Sequence, residues 1–281
     1  MPSSLLHATL DRGTSFDQLS STQTYFAAPT APVASSTASL QVLVLAPHPD
    51  DESLGCGGTL RQLTEGGVAV DVAYMTRGEL GNKRGSVLPP LDQLVLASQR
   101  AQEGLEACRI LGVRNVHFLG GRDGAVSSQP ELAEQILQLL NGCNYNTVFC
   151  PWAFDFHPDH SGTFDHLVSA LRACDRRPEV WLYEVWSTLH PNRVVCIDTT
   201  IDSKLKAAQA HASQMQNYSY DYSDCFQALS RYRAILVPGM KHAEAFYVCD
   251  RDAALSLRSA GPTAERSHAV RQQLAATAMA S

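Results

Sequence analysis

From residue 41 onward, short apolar runs alternate with stretches whose apolar residues recur at helical spacing. This is the pattern of βαβ units built around a largely parallel sheet. The apolar runs predict strands at 41–46, 69–75, 115–119, 147–151, 180–186, 194–198 and 244–249. The helical spacing predicts helices at 53–65, 92–111, 130–141, 161–173 and 202–214, the first of them stopped by Gly66-Gly67. Crossovers between parallel strands place helices on both faces. The expected fold is therefore α/β: a single Rossmann-like domain with a mostly parallel sheet flanked by helices on both sides.

Residues 1–39 break from this pattern. They are rich in Ser, Thr, Ala and Pro, contain no Lys and show no sustained periodicity, so they can bury little apolar surface to offset the entropy of ordering. The expected organisation is a flexible N-terminal arm over 1–39, one domain over 40–255 and a C-terminal tail over 256–281.

Composition narrows the class of partner. The chain has 281 residues, 44% of them hydrophobic, enough to bury a sizeable core in one domain. No apolar stretch approaches the roughly 20 residues needed to span a bilayer, and Met1-Pro2-Ser3-Ser4 lacks the charged start of a signal peptide. A cytoplasmic protein without membrane contact is expected. The net charge of -6 and the lack of any Lys/Arg cluster remove the attraction that draws proteins to nucleic acid, which points to a small-molecule substrate and leaves a homo-oligomer open. The eight cysteines contain no Cys-x-x-Cys pair, as expected of reduced thiols rather than disulfide staples.

The chemistry is concentrated in two copies of one tripeptide. His48-Pro49-Asp50-Asp51-Glu52 follows the first strand, and His157-Pro158-Asp159-His160 follows the strand at 147–151. Chance predicts roughly 0.03 copies of His-Pro-Asp in a chain of this composition. Both copies fall at carboxyl ends of strands, the edge at which open α/β sheets bind ligands. Catalytic zinc takes three protein ligands and keeps one position for water. His48 and Asp51, three residues apart on a strand-to-helix turn, together with His160 from the other loop, form such a set. Asp50, whose side chain should diverge from that of Asp51, is then the candidate general base. His157 faces the substrate from the opposite side as a stabiliser of developing charge, with Asp159 holding its imidazole protonated and oriented.

These two segments resemble the signatures of the LmbE/PIG-L family of zinc-dependent N-deacetylases, which remove acetyl groups from N-acetylglucosamine conjugates. Further stretches are similar to the family's pattern: Thr76-Arg77-Gly78-Glu79-Leu80-Gly81, Arg100-Ala101-Gln102-Glu103, Gly121-Arg122-Asp123-Gly124, His211-Ala212-Ser213-Gln214 and Ala243-Glu244-Ala245-Phe246. The likeness runs from about 41 to 250. It implies Zn2+ held by His48, Asp51 and His160, with Asp50 as base, His157 as stabiliser, and Arg100 and Asp123 as contacts to the hydroxyls of an amino-sugar substrate.

Plainer roles compete for several of these residues. Asp50 and Asp159 are also suited to capping the helices that follow them, and Arg100 with Glu103 has the spacing of a surface ion pair. Asp123 has the composition of a turn former, and Glu52 suits either a first helical turn or a contact behind the ligands. Gly55-Cys56-Gly57-Gly58 lacks the third glycine of a dinucleotide loop and suits close packing of the first helix on the sheet. His211, His242 and the series Tyr218, Tyr220, Tyr222 carry no assigned role. Two alternatives use the same cleft: a non-haem iron oxygenase built on the same two-His-one-carboxylate set, and a sugar-binding module without turnover.

Overall fold

Along the first strand the buried side chains divide between two faces, and this division sets the layers of the molecule. The computed structural model describes residues 40–81, 88–215 and 222–257. In β1 (Gln41–Ala46), Val42, Val44 and Ala46 enter one apolar cluster, while Leu43 and Leu45 enter another. A strand buried on both sides needs cover on both sides. On the first face lie α1 (Asp51–Glu65), α2 (Pro90–Leu111), α5 (Ile201–Ala210) and α7 (Tyr222–Ala234). On the second lie α3 (Glu131–Gly142), α4 (Pro158–Ala173) and α8 (Arg251–Leu257).

The remaining strands are β2 (Ala69–Thr76), β3 (Asn115–Gly121), β4 (Thr147–Pro151), β5 (Glu179–Tyr183), β6 (Arg193–Cys196) and β7 (Ala243–Cys249), and the short helix α6 (Ala212–Met215) follows α5. The seven strands form one sheet in the order β3-β2-β1-β4-β5-β7-β6. The first five are parallel, and β7 runs antiparallel to both β5 and β6. The sheet is therefore mostly parallel, as the pattern predicts. From β1 the chain steps outward through β2 and β3, then returns to β4 on the other side of β1. This reversal parts the loops after β1 and β4 and opens a crevice at their carboxyl ends, and both His-Pro-Asp segments occupy it.

Two packing features hold this edge firm. Phe149, Trp181 and Phe246 meet with ring centroids 5.2–5.6 Å apart and tie β4, β5 and β7 together; such rings contribute about 0.5–1.5 kcal/mol per pair beyond their burial. The glycines of α1 permit its close approach to the sheet, since a Cβ at Gly55 would lie 2.2 Å from the Tyr183 ring and one at Gly58 2.8 Å from the Ile197 side chain. The eight cysteines are free thiols.

Several expected boundaries shift. Helices α1, α2 and α4 begin earlier than their periodicity suggests, so Asp51 lies inside the first turn of α1. The helix expected at 202–214 is interrupted at His211, whose ring turns inward to Glu52. The strand expected through 186 stops at Tyr183, where Glu184 turns to Arg233 and to the Leu189 amide. Helices α7 and α8 were not expected. The tail boundary at 256 falls inside α8, while the arm, Tyr218 and Tyr220 lie outside the described residues.

At the opposite edge of the sheet, the buried carboxylate of Asp71 receives Arg114 through two bonds of 2.9 and 2.6 Å, Asn115 at 3.1 Å and the Tyr145 hydroxyl at 2.7 Å. Burial opposes its charge, but these donors hold its pKa below the usual carboxylate range. The stabilisation is present above the unfolded-state pKa and lost as pH falls through the folded one. Asp71→Ala is expected to cost about 1–3 kcal/mol in urea unfolding at pH 7, with the gap to wild type closing in acid.

Candidate active site

The turn after β1 is built to present carboxylates. Pro47 and Pro49 restrict the backbone on either side of His48, and the Pro47 carbonyl accepts both the amide and the hydroxyl of Thr76 at 3.0 Å. Asp50 then takes φ 139°, alone among the non-glycine residues described in having a positive φ. A side chain in that region is strained and needs surroundings that over-determine it. Here the Asp50 amide donates to Glu52 Oε2 at 3.1 Å, and its carbonyl accepts the amides of Ser53 and Leu54 at 3.0 and 2.9 Å. Asp50 occupies the N-cap position of α1, yet its carboxylate makes no capping bond. Arg100 Nη2 donates to its Oδ2 at 3.1 Å instead.

The second loop brings its imidazoles to the same place. His157 caps α4, its Nδ1 accepting the Asp159 amide at 3.2 Å, which puts the ring proton on Nε2. His48 lies with its ring centroid 5.1 Å from that of His157 and 5.6 Å from that of His160. Asp51 bridges the two loops, with Oδ2 3.2 Å from His48 Nδ1 and Oδ1 3.3 Å from His160 Nε2. The Asp51 carboxylate also accepts the His48 amide at 2.9 Å.

One ligand atom from each of His48, Asp51 and His160 lies within 4.8 Å of the others, and all three residues are buried. His48, His157 and Asp159 meet the same spacing, but both oxygens of Asp159 already accept backbone amides, from Gly124 at 2.6 Å and Val126 at 3.1 Å. The first set fits a divalent cation. Both ring nitrogens of His160 are buried without a hydrogen bond, a state that buried polar atoms rarely keep unless a ligand satisfies them. Electrostatics agree. Burial disfavours charge on His48, yet its contacts with Asp123, Asp159 and Asp51 raise its pKa well above the ordinary value. Burial likewise opposes charge on His160, and Asp51 with Asp155 outweighs it, lifting the ring to about 9. Burial would raise Asp51 too, but the two imidazoles hold it well below the usual carboxylate range. The cluster thus gathers positive charge among carboxylates, and a cation would take the place of those protons.

The neighbours of these residues are charged differently. Burial lifts Asp50 to about 6 against the opposing pull of Arg100. Burial, followed by the charges of His48 and His160, lowers His157 to about 4. Burial works against the imidazolium that the sequence leads one to expect at 157.

Three of the expected site residues make contacts within the protein. The Asp159 carboxylate, expected to orient His157, engages the loop after β3 and lies 3.2 Å from His48 Nε2; only its backbone amide reaches His157. Asp123 Oδ1 is 3.1 Å from that same His48 nitrogen, and Oδ2 accepts the Leu80 amide. Arg100 is 3% exposed and donates to the carbonyls of Pro49 and Gly78 as well as to Asp50. Its two terminal nitrogens are therefore engaged by protein acceptors, while the buried Nε has no partner. Nor does Arg100 pair with Glu103, whose carboxylate accepts the amide and hydroxyl of Ser213 on α6.

Comparison with known proteins follows the same residues. Residues 43–171 match the model of the PIG-L family, described as GlcNAc-PI de-N-acetylase. A probable N-acetyl-alpha-D-glucosaminyl L-malate deacetylase 2 of Bacillus cereus is 30% identical over 62% of this chain and 84% of its own length. The chain belongs to the PIG-L family. Among its relatives, the diacetylchitobiose deacetylase of Thermococcus kodakarensis is 29% identical over 62% of this chain and 70% of that protein. The crystal structure of the N,N'-diacetylchitobiose deacetylase of Pyrococcus horikoshii, at 25% identity, superposes with a TM-score of 0.67 over 80% of this chain and 88% of that one.

Two buried groups of this PIG-L domain escaped the reading of its sequence. His211 sits behind Asp50, its Nε2 3.0 Å from Glu52 Oε1, while the other oxygen of Glu52 holds the Asp50 amide. The family-like His211-Ala-Ser-Gln segment was the only signal, and nothing local links it to residue 52. Asp155 was not singled out at all. Its Oδ1 accepts the His157 amide at 2.9 Å, and its Oδ2 accepts the amides of Trp186 and Ser187 at 3.1 Å while lying 3.7 Å from His160 Nδ1. A carboxylate behind a ligating imidazole fixes ring orientation and raises its basicity. Asp155→Ala is expected to weaken metal affinity about 10–100-fold, read by competition with a chromogenic chelator; an unchanged affinity would remove Asp155 from this role.

Proposed function

We propose that this protein is a zinc-dependent hydrolase that removes the N-acetyl, or a related N-acyl, group from an amino sugar or small glycoconjugate. The observation that supports it most is the meeting of His48, Asp51 and His160 around one point, with Asp50 beside them and held outside the ligand set. Two imidazoles, one carboxylate and an open position make the donor set of catalytic zinc. The deacetylase names of the relatives support the choice of an amide substrate. When bound, the ion supplies Lewis acidity toward the acyl carbonyl and lowers the pKa of a water molecule toward neutrality.

The protein's own groups handle the protons. Arg100 occupies Asp50 Oδ2, leaving Oδ1 to accept a proton from the attacking water. His157, with Nδ1 engaged by the Asp159 amide, donates from Nε2–H to the oxygen on which charge develops. The proton taken up by Asp50 then passes to the departing nitrogen, so that one amide and one water give a carboxylic acid and a free amine. Asp123 and Asp159 hold His48 Nε2 between them, keeping Nδ1 turned toward Asp51.

The test is acetate release from N-acetylglucosamine and N,N'-diacetylchitobiose by protein dialysed against a chelator, before and after Zn2+ is restored. Release that requires the ion is the expected result. No release from either sugar with any divalent ion restored would overturn the reading. No helix of the described residues is long and apolar enough to cross a membrane, in keeping with a substrate met in aqueous solution.

A further inference from the structure

We propose that the groove lined by Val185, Trp186, Tyr222, Phe226 and Leu229 is a second substrate subsite, seating an apolar alkyl or aryl aglycone carried by the amino sugar; this rests on the deacetylase reading above and narrows its substrate class. The groove is open to solvent and has a volume of about 440 Å³, and Cys225 completes its lining without a charged side chain, a size and apolar lining found in small-molecule sites. Trp186 forms one wall, its ring centroid 5.5 Å from that of Tyr222 and 6.5 Å from that of Phe226. It remains 37% exposed, so a large apolar face is left available to a ligand.

Trp186, in the wall of the groove, is tied to the reaction centre through Asp155. Trp186 and Ser187 donate their amides to Asp155, which lies 3.7 Å from His160 Nδ1. The Ser187 hydroxyl in turn accepts the amide of Phe156, the residue before His157, and the Phe156 side chain is 64% exposed. Two exposed aromatic residues, Trp186 of the groove and Phe156 beside His157, are thus held near the imidazoles through their backbone amides. A sugar placed with its acyl group at His157 would have Phe156 and Trp186 beside its substituent, with the groove beyond Trp186. A bare monosaccharide would leave the groove to water, whereas an alkyl or aryl group would gain from burial against the rings.

Two measurements decide the proposal. The first is the ratio of kcat/KM for 4-nitrophenyl N-acetyl-β-glucosaminide, assayed by acetate release, to that for N-acetylglucosamine. Trp186→Ala is expected to lower this ratio about tenfold, and Trp186→Phe to restore most of it. A merely structural role would depress both substrates together and leave the ratio unchanged, which would overturn the subsite. The second measurement needs no turnover: the alkylation rate of Cys225, the exposed cysteine of the groove, is read by peptide mass spectrometry with and without 4-nitrophenyl β-glucoside. Protection at that site supports the subsite. A thiol that is slow to react without glycoside and unaffected by it would mean that the chain itself fills the groove, and would overturn the proposal. If neither acetylated sugar releases acetate, the deacetylase reading falls, while Cys225 protection still decides whether the groove takes an apolar glycoside.

Discussion

Replacing Asp50 with asparagine is expected to lower kcat about 10²–10⁴-fold, the range that a positioned general base contributes, while the purified variant keeps the metal content of wild type. The structure makes this substitution specific. The asparagine oxygen can still accept the Arg100 bond that Oδ2 receives at 3.1 Å, and the isosteric side chain leaves in place the backbone bonds to Glu52, Ser53 and Leu54 that sustain the turn at φ 139°. What is removed is the capacity to take a proton, together with the negative charge that faces Arg100. Rate and metal should be measured on the same preparation, by acetate release and by elemental analysis. Wild-type turnover in a fully loaded Asp50→Asn enzyme would refute the assignment of the base.

Asp51→Ala is expected to act one step earlier, with metal retention falling more than about 100-fold, beyond the 10–100-fold typical of losing an outer partner such as Asp155, and with activity at background. Asp51 is 1% exposed and is the carboxylate that faces both His48 Nδ1 and His160 Nε2. Its loss would take away a proposed ligand and also the negative charge that offsets two buried imidazoles. Removing one member of a buried charged pair costs about 3–5 kcal/mol when the other stays charged; here the rings can shed their protons, which limits the cost. The metal-free variant should therefore remain folded by circular dichroism while failing to bind Zn2+ in calorimetry. Stoichiometric, tight binding by this variant would show that the ion is held elsewhere, the grouping of His48, His157 and Asp159 being the next place to look.

The two variants separate the parts of the site that the proposed chemistry keeps apart. Asp50 and Asp51 are neighbours in sequence, yet the positive φ at Asp50 sends one carboxylate to Arg100 and leaves the other between the imidazoles. A backbone in the ordinary helical range would not divide them in this way. Glu52 and His211 stand behind that conformation: Glu52 accepts the Asp50 amide, and burial of its carboxylate is offset by the adjacent His211, which holds its pKa below the ordinary value. The strain is local, and the groups that sustain it come from the first turn of α1 and from the break between α5 and α6.

Much of this was legible in the chain itself. Local periodicity identified the core strands because a parallel strand buried on both faces is an unbroken apolar run, as Val42 to Ala46 illustrates. The repeated His-Pro-Asp segments stood out because imidazoles and carboxylates clustered at strand ends have no packing use, and the sheet reversal beside β1 brings them together. What periodicity does not encode is direction and long-range partnership. The antiparallel course of β7, the interruption of helix 202–214 at His211 and the early end of β5 at Glu184 each depend on a contact tens to more than a hundred residues away. The same holds within the site. Residue type, the repeated tripeptide and its place at strand ends together indicated that His48, Asp51 and His160 are suited to a cation, since only a few side chains ligate metals well. Tertiary structure alone decided that Arg100 serves Asp50, that Asp123 and Asp159 converge on one nitrogen of His48, and that Asp155 stands behind His160. A hydrogen bond is settled by where two atoms meet in space, and for those pairs the meeting is made by the sheet order and the loops it juxtaposes.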